Sequence, residues 1–520
     1  MERPPISDTR EFVLCFDGTG YKFRGDDADS NVLKIYRMLD RNDPRQFHYY
    51  QAGFGTCTTA IWQSRDANAN RVKRWISNTK DAALGTTFEE HVMDAYRFLM
   101  RFYSPGDGIY IFGFSRGAYV ARMLAEMLDH IGLLEAGNEG KVRYVWSKFS
   151  KWAKCVNIVD ADQEEKDQSY KFMKALRETF CRPVSQIRFL GLFDTVNSIP
   201  RFEVNRNNFM FPFTAKTSAR VIRHAVAIDE HRAKFRQDLI SDANPNRPST
   251  RRKPKGQPER QGLPEQGRCS GEAFYRPAPS RTPYGAEDSH GEETINPTQD
   301  IEEVWFAGCH ADIGGGLKLD KDEELALSHV PLVWMVQEAQ RAGLRFDPQK
   351  MKLFHCFDDI TETGGLPHDL EGNHGSDADG NNGQEPGVGS DFKRALWKST
   401  AHGHIHDFLR YGRGVPWATV LSWRVVEYLP FRRMGLQPDG SWRPIRWPLP
   451  LGERRDIPKG AKIHGSVIRR MKTDPEYRPE NMARGKKGKH KHPLEIGSWE
   501  VHDHRGCPVR ETYCFKLSET

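Results

Sequence analysis

Short, largely apolar runs recur along this chain, and each stops on a glycine, an acid or a histidine. Phe12–Phe16 runs into Asp17-Gly18-Thr19-Gly20, and Phe47–Gln51 into Ala52-Gly53-Phe54-Gly55-Thr56. Ile109–Phe112 leads to a turn at Ser115, Ile187–Phe193 to Asp194, Val221–Ile228 to Asp229, and Val304–Gly308 to Cys309-His310. Apolar runs this short, with so little polar alternation, read as strands buried on both faces. Segments with helical periodicity separate them: Asn31–Leu39, Thr86–Phe102, Ala118–His130 and Glu323–Ala342. In Thr86–Phe102, Phe88, Val92, Ala95, Tyr96 and Leu99 share one face. Strands alternating with helices predict the α/β class, a mainly parallel sheet with helices on both faces.

The 520 residues accommodate one large domain with extensions, or two or three domains. The reading places a first catalytic part at 8–240 and its last strand and helix at 298–345. Between them, 241–297 is rich in Pro, Arg, Ser, Gly and Gln and reads as a disordered or lid-like insertion. A C-terminal extension at 346–475 is expected to pack on the catalytic part, with a mobile loop at 364–390 and a basic tail at 476–520. Within that loop Asp377–Asn381 resembles a calcium loop. Asn382 stands where the turn glycine belongs and Val388 where the glutamate belongs, so no calcium site is expected.

Net charge is +7, concentrated at Arg251–Lys255 and Arg484–Lys491. Solvated loop charge is the preferred reading of both clusters, with nuclear address or contact with an anionic membrane surface as alternatives. Nucleic acid is not expected as a partner. The nine cysteines are scattered without a C-x-x-C pair, which fits reduced thiols. No apolar run reaches the ~18 residues of a membrane span. The first ten residues lack a secretory apolar core, so a cytoplasmic protein is expected.

Gly113-Phe114-Ser115-Arg116-Gly117 fits G-x-S-x-G directly between a strand and a helix. So tight a turn strains the serine backbone and leaves no room for side chains two residues before and after, hence Gly113 and Gly117. Ser115 is the candidate nucleophile and needs a base. Partners should follow it in sequence, each just past a later strand. His310, read as opening a glycine-rich loop after its strand, meets that condition better than His231, which sits three residues further out at what reads as a helix start. For the acid, Asp194 is favoured over Asp229. Asp312 lies too near His310 in sequence to face its far nitrogen, and helix capping is its plainer role. The oxyanion would be held by the Arg116 amide and by the Gly18 or Thr19 amide, with Asp17 shaping the loop. No cofactor is required. His402, His404 and His406 would share a face if they lay on a strand, but no matching ligand set accompanies them and no metal is expected.

Phe-Asp-Gly-Thr after the first strand, Gly-Phe-Ser-Arg-Gly-Ala at the elbow, Phe-Asp-Thr-Val at 193–196 and Gly-Cys-His-Ala-Asp-Ile-Gly-Gly-Gly at 308–316 together resemble the DUF2235 family. That group contains the Tle1-like phospholipase effectors of bacterial type VI secretion. Asn31–Tyr36 and Tyr49–Thr56 look similar to its eukaryotic, especially fungal, members. The resemblance covers about residues 10–240 and 298–345. It implies an α/β-hydrolase fold, a Ser-Asp-His triad at Ser115, Asp194 and His310, and ester hydrolysis, with phospholipase activity in the effector branch. Two departures stand out: Gly-Thr-Gly-Tyr at 18–21, where many relatives carry asparagine after the threonine, and the long basic insertion.

The expected function is therefore a serine hydrolase of carboxylic esters, with phospholipids or other lipid esters among the substrates. A non-catalytic hydrolase-like scaffold is the alternative. A phosphatase ranks third: Phe12–Thr19 resembles the first motif of haloacid-dehalogenase-type phosphatases, but Cys15 stands where their attacking aspartate belongs.

Overall fold

The computed structural model describes residues 9–21, 23–53, 80–157, 163–196, 217, 219–240, 299–320, 323–357, 391–412, 414–431, 433–437, 442–458, 460–482 and 499–516. The 241–297 insertion, the 364–390 loop with Asp377–Asn381, and the basic clusters at 251–255 and 484–491 lie outside the described residues.

Among the described residues, nine strands form one sheet. They are β1 (Glu11–Phe16), β2 (Gln46–Gln51), β3 (Gly108–Phe114), β6 (Phe189–Phe193), β7 (Val221–Ala227), β8 (Asp300–Phe306), β11 (Lys462–His464), β12 (Trp499–Asp503) and β13 (Thr512–Phe515). Two small ribbons stand apart, β4 (Leu133–Leu134) with β5 (Cys181–Arg182) and β9 (Arg433–Leu436) with β10 (Trp442–Ile445). The sheet order is β12-β13-β11-β8-β7-β6-β3-β1-β2. Every pairing from β2 to β11 is parallel, and only β13 and β12 run against their neighbours. This mostly parallel sheet flanked by helices is an α/β-hydrolase-like fold.

Both faces are covered, as the apolar runs require. Phe12, Leu14 and Phe16 of β1 pack with helices Lys80–Phe102, Arg116–Ile131 and Val142–Asn157. Val13 and Cys15 point the other way, into the core shared with Asn31–Met38 and His329–Arg341. From β1 the chain first moves outward to β2, then returns to the far side of β1 as β3, and continues toward β8. The order therefore reverses at β1/β3. Ligands of open parallel sheets bind beyond the strand ends at such a switch point.

Three local expectations are corrected. The helix expected over Glu323–Ala342 begins at His329. Pro331 has no N–H to give and is tolerated only in a first turn, which fixes the start just before it. His310 opens a short helix, His310–Gly314, rather than a loop. The sheet does not end at β8 either: β11 adds to that edge, and residues 499–516, read as part of a basic tail, supply β12 and β13.

Candidate active site

At the end of β3 the backbone turns sharply. Ser115 has φ 59° and ψ −123°, a conformation that L-residues rarely hold, and helix Arg116–Ile131 starts at the next residue. Both flanking glycines are needed for close approach. A Cβ at Gly113 would stand 2.5 Å from Ala118 Cα, and one at Gly117 would stand 2.3 Å from Phe16 O and 2.5 Å from Asp17 O. The second contact presses the loop after β1 against the elbow. The Ser115 amide donates to Phe193 O at 2.9 Å, tying the turn to the end of β6.

His310 meets this serine. Its Nε2 lies 2.8 Å from Ser115 Oγ, and its Nδ1 lies 2.5 Å from Asp194 Oδ2. With the proton on Nδ1 shared with the carboxylate, Nε2 is the acceptor facing the hydroxyl. The ring is held between Phe114 and Phe235, each with its centroid 4.8 Å away. Ser115 and His310 are each only 4% exposed. Burial pulls the His310 pKa below the ordinary histidine value, against the opposing pull of Asp194, so the imidazole is neutral at neutral pH.

Asp194 is fully buried at a positive φ of 42°. Burial alone would raise its pKa, but the Arg455 guanidinium and the His310 N–H hold the carboxyl well below the usual carboxylate range. Arg455 grips it with both nitrogens: Nη1 donates to Oδ1 at 2.6 Å and Nη2 to Oδ2 at 2.9 Å. The Ala227 amide adds a third donor at 2.9 Å. Arg455 also donates to the carbonyls of Ala227 and Phe235, so it is satisfied although buried.

The rival acids lie elsewhere. Asp229 accepts from the Gly308 amide and the Tyr477 hydroxyl, both at 2.8 Å. Asp312 accepts from the Cys309 amide at 2.9 Å, the capping role expected of it, and pairs with His406 Nδ1 at 2.8 Å. Neither reaches His310. Glu230, missed in the sequence, accepts the His310 backbone amide at 3.2 Å and pairs with Arg232 at 2.7 Å; against the upward push of burial, Arg232 holds its carboxyl down to about 2.

Asp17 anchors the neighbouring loop. Its Oδ1 accepts the Gly18 amide at 2.7 Å, and its Oδ2 accepts Ser30 Oγ at 2.7 Å and Tyr50 OH at 2.8 Å. Burial raises the carboxyl to about 6 despite these donors. The Gly18 amide is thus committed to Asp17, which narrows the expected pair Gly18/Thr19 to Thr19. Cys15 is fully buried on β1, with its thiol pushed far up by burial.

The three alternating histidines do not share a strand. His402 ends helix Asp391–His402 against Trp397, His404 pairs with Asp320, and His406 with Asp312. Among the described residues no group of three His, Cys, Asp or Glu side chains could hold a metal ion. A cleft of about 1070 Å3 lies between helix Trp417–Val426 and residues 451–457; Arg455 lines it, but Ser115 and His310 do not.

Comparison with known proteins gives the following. The family model described as the catalytic domain of Tle1-like type VI secretion (T6SS) phospholipase effectors matches residues 10–338. The uncharacterized protein YEL023C of Saccharomyces cerevisiae (strain ATCC 204508 / S288c) is 28% identical, over 92% of this chain and 81% of its own. Two solved structures are similar. One is an uncharacterized protein from Pseudomonas aeruginosa: TM-score 0.30, 19% identity, 65% of this chain and less than half, 46%, of that one. The other is the Tle1 effector bound to the VgrG spike of the type 6 secretion system: TM-score 0.29, 15% identity, 71% of this chain and 78% of that one.

Proposed function

We propose, since this chain belongs to the family of Tle1-like catalytic domains of type VI secretion phospholipase effectors, that it is a serine carboxylester hydrolase acting on lipid esters, phospholipids among them. The observation that carries this reading is the unbroken line of hydrogen bonds from Ser115 Oγ through His310 to Asp194 and on to Arg455. Ser115 Oγ attacks the acyl carbonyl while its proton passes to His310 Nε2. Asp194 stabilises the resulting imidazolium and keeps its orientation. The Arg116 amide, first of its helix, and the Thr19 amide receive the negative charge on the carbonyl oxygen. The imidazolium then protonates the departing alcohol as the acyl–oxygen bond breaks, leaving an acyl-enzyme on Ser115. Water, deprotonated by the same histidine, releases the acid and restores the serine.

A fluorophosphonate probe tests this, because it reacts only with an activated serine. The wild-type chain should be labelled and Ser115→Ala should not. Asp194→Asn should slow labelling by roughly 10³–10⁴-fold while the fold persists. Equal labelling of the wild type and Ser115→Ala, or no labelling of a folded wild type, would sink the hydrolase reading, the second outcome in favour of a scaffold.

A further inference from the structure

We infer that the outward face of helix Trp417–Val426, with the segment reaching Leu451, docks the protein on an anionic lipid surface. The inference rests on the hydrolase reading only for what docking delivers. Surface helices normally present polar residues to solvent. This one does not. Trp417, Leu421 and Val425, spaced i, i+4 and i+8, lie on one face, with Trp417 70% and Val425 63% exposed. Tyr428 extends the face beyond the helix end. Leu451 joins it, donating its amide to Glu427 O at 3.3 Å and sharing one cleft with Leu421, Val425 and Tyr428. Exposed Trp447 lies four residues before it. Among the described residues, eight of the 15 exposed large hydrophobic side chains fall between residues 411 and 451. Such concentration marks an interaction surface rather than scattered exposure.

The chemistry of the rim decides the partner. In sequence alone, residues 410–451 carry seven arginines against two acids, Glu427 and Asp439; of the described arginines, Arg433 is buried and paired with Glu453. Arg410, Arg424 and Arg446 are exposed, whereas Glu427 is buried, accepting the Ala233 and Gly452 amides. Trp and Tyr among aliphatic residues, bordered by arginine, match the boundary between lipid headgroups and acyl chains. An anionic leaflet supplies the complementary charge. The opposite side of the helix leads to the reaction centre: Trp423 packs edge-on against Phe235 at 5.5 Å, and Phe235 lies against His310. The helix that would meet lipid is thus linked to the proposed general base through two rings, Trp423 and Phe235.

Docking is measured without turnover, on the full chain carrying Ser115→Ala. It should float with phosphatidylcholine vesicles containing ~30% phosphatidylserine, and less with pure phosphatidylcholine. Adding Trp417→Ser and Val425→Ser should lower the bound fraction ~10-fold or more while the melting temperature stays within a few degrees, since both side chains are exposed. Adding Arg410→Ala and Arg424→Ala instead should abolish most of the preference for anionic vesicles. Flotation untouched by the serine pair, or no anionic preference, overturns the proposal. So does a parent that dimerises in solution and becomes monomeric with the serine pair, which would assign the face to a second copy. Patch-dependent flotation of a chain whose wild type takes no fluorophosphonate leaves docking standing and removes the hydrolase reading.

Discussion

Arg455 turns an ordinary-looking acid–histidine pair into one with a fixed charge behind it. A buried carboxylate that loses its paired guanidinium costs about 3–5 kcal/mol of stability, so Arg455→Met should be markedly less stable in urea denaturation. Activity carries a second readout. His310 must be neutral to accept a proton, and burial has lowered its pKa, so the acid limb of kcat/KM for the wild type should lie below pH 6.5. Removing the Arg455 charge leaves the carboxylate with one cation fewer beside it. That favours the imidazolium, and the acid limb should move to higher pH. Arg455→Lys keeps the charge without the two-pronged geometry and should move it less. A limb fixed in both variants would mean that the guanidinium only packs. Ser115, Asp194 and His310 were legible in the sequence because each lies within a few residues of the end of an apolar strand. Arg455 was not, because Leu451-Gly452-Glu453-Arg454-Arg455 has no periodicity and its partner lies 261 residues away.

The elbow depends on how closely β1 and the nucleophile turn approach. Gly117→Ala would drive a methyl into Phe16 O and Asp17 O, main-chain atoms that cannot swing aside. It should cost about 1–3 kcal/mol and displace the Asp17–Thr19 loop, with probe labelling falling accordingly. Gly140→Ala, with nothing within 4 Å of the added carbon, is the matched control and should stay within about 0.5 kcal/mol. Equal urea midpoints for the two variants would refute the close-approach argument. Elements of this kind were legible where burial on both faces writes an unbroken apolar run, as in β1, β3 and β6. Strand β11 has only Lys462, Ile463 and His464, and β12 reads Trp-Glu-Val-His-Asp. Such short mixed segments carry no period, so their place in the sheet comes from the neighbours already present.

Across the whole molecule, the family match ends at residue 338 while the site does not. The C-terminal region supplies Arg455, the three strands that extend the β8 edge, and Tyr477, which holds Asp229. A chain ending at residue 445 would leave the β8 edge unpaired and Asp194 without its cation. It should lose soluble yield and probe labelling together, whereas a truncated chain that still labels would show the core to be self-sufficient. The clamp on Asp194 also has a consequence in time. Ser115, Asp194 and His310 all leave the ribosome well before residue 455 is added. Between the addition of residue 310 and that of residue 455 the nascent chain therefore carries Ser115, Asp194 and His310 without the cation that locks Asp194. Under the proposed mechanism, a chain abandoned between these points would hold the three groups unclamped, and full ester-cutting power would arrive only once synthesis has passed residue 455.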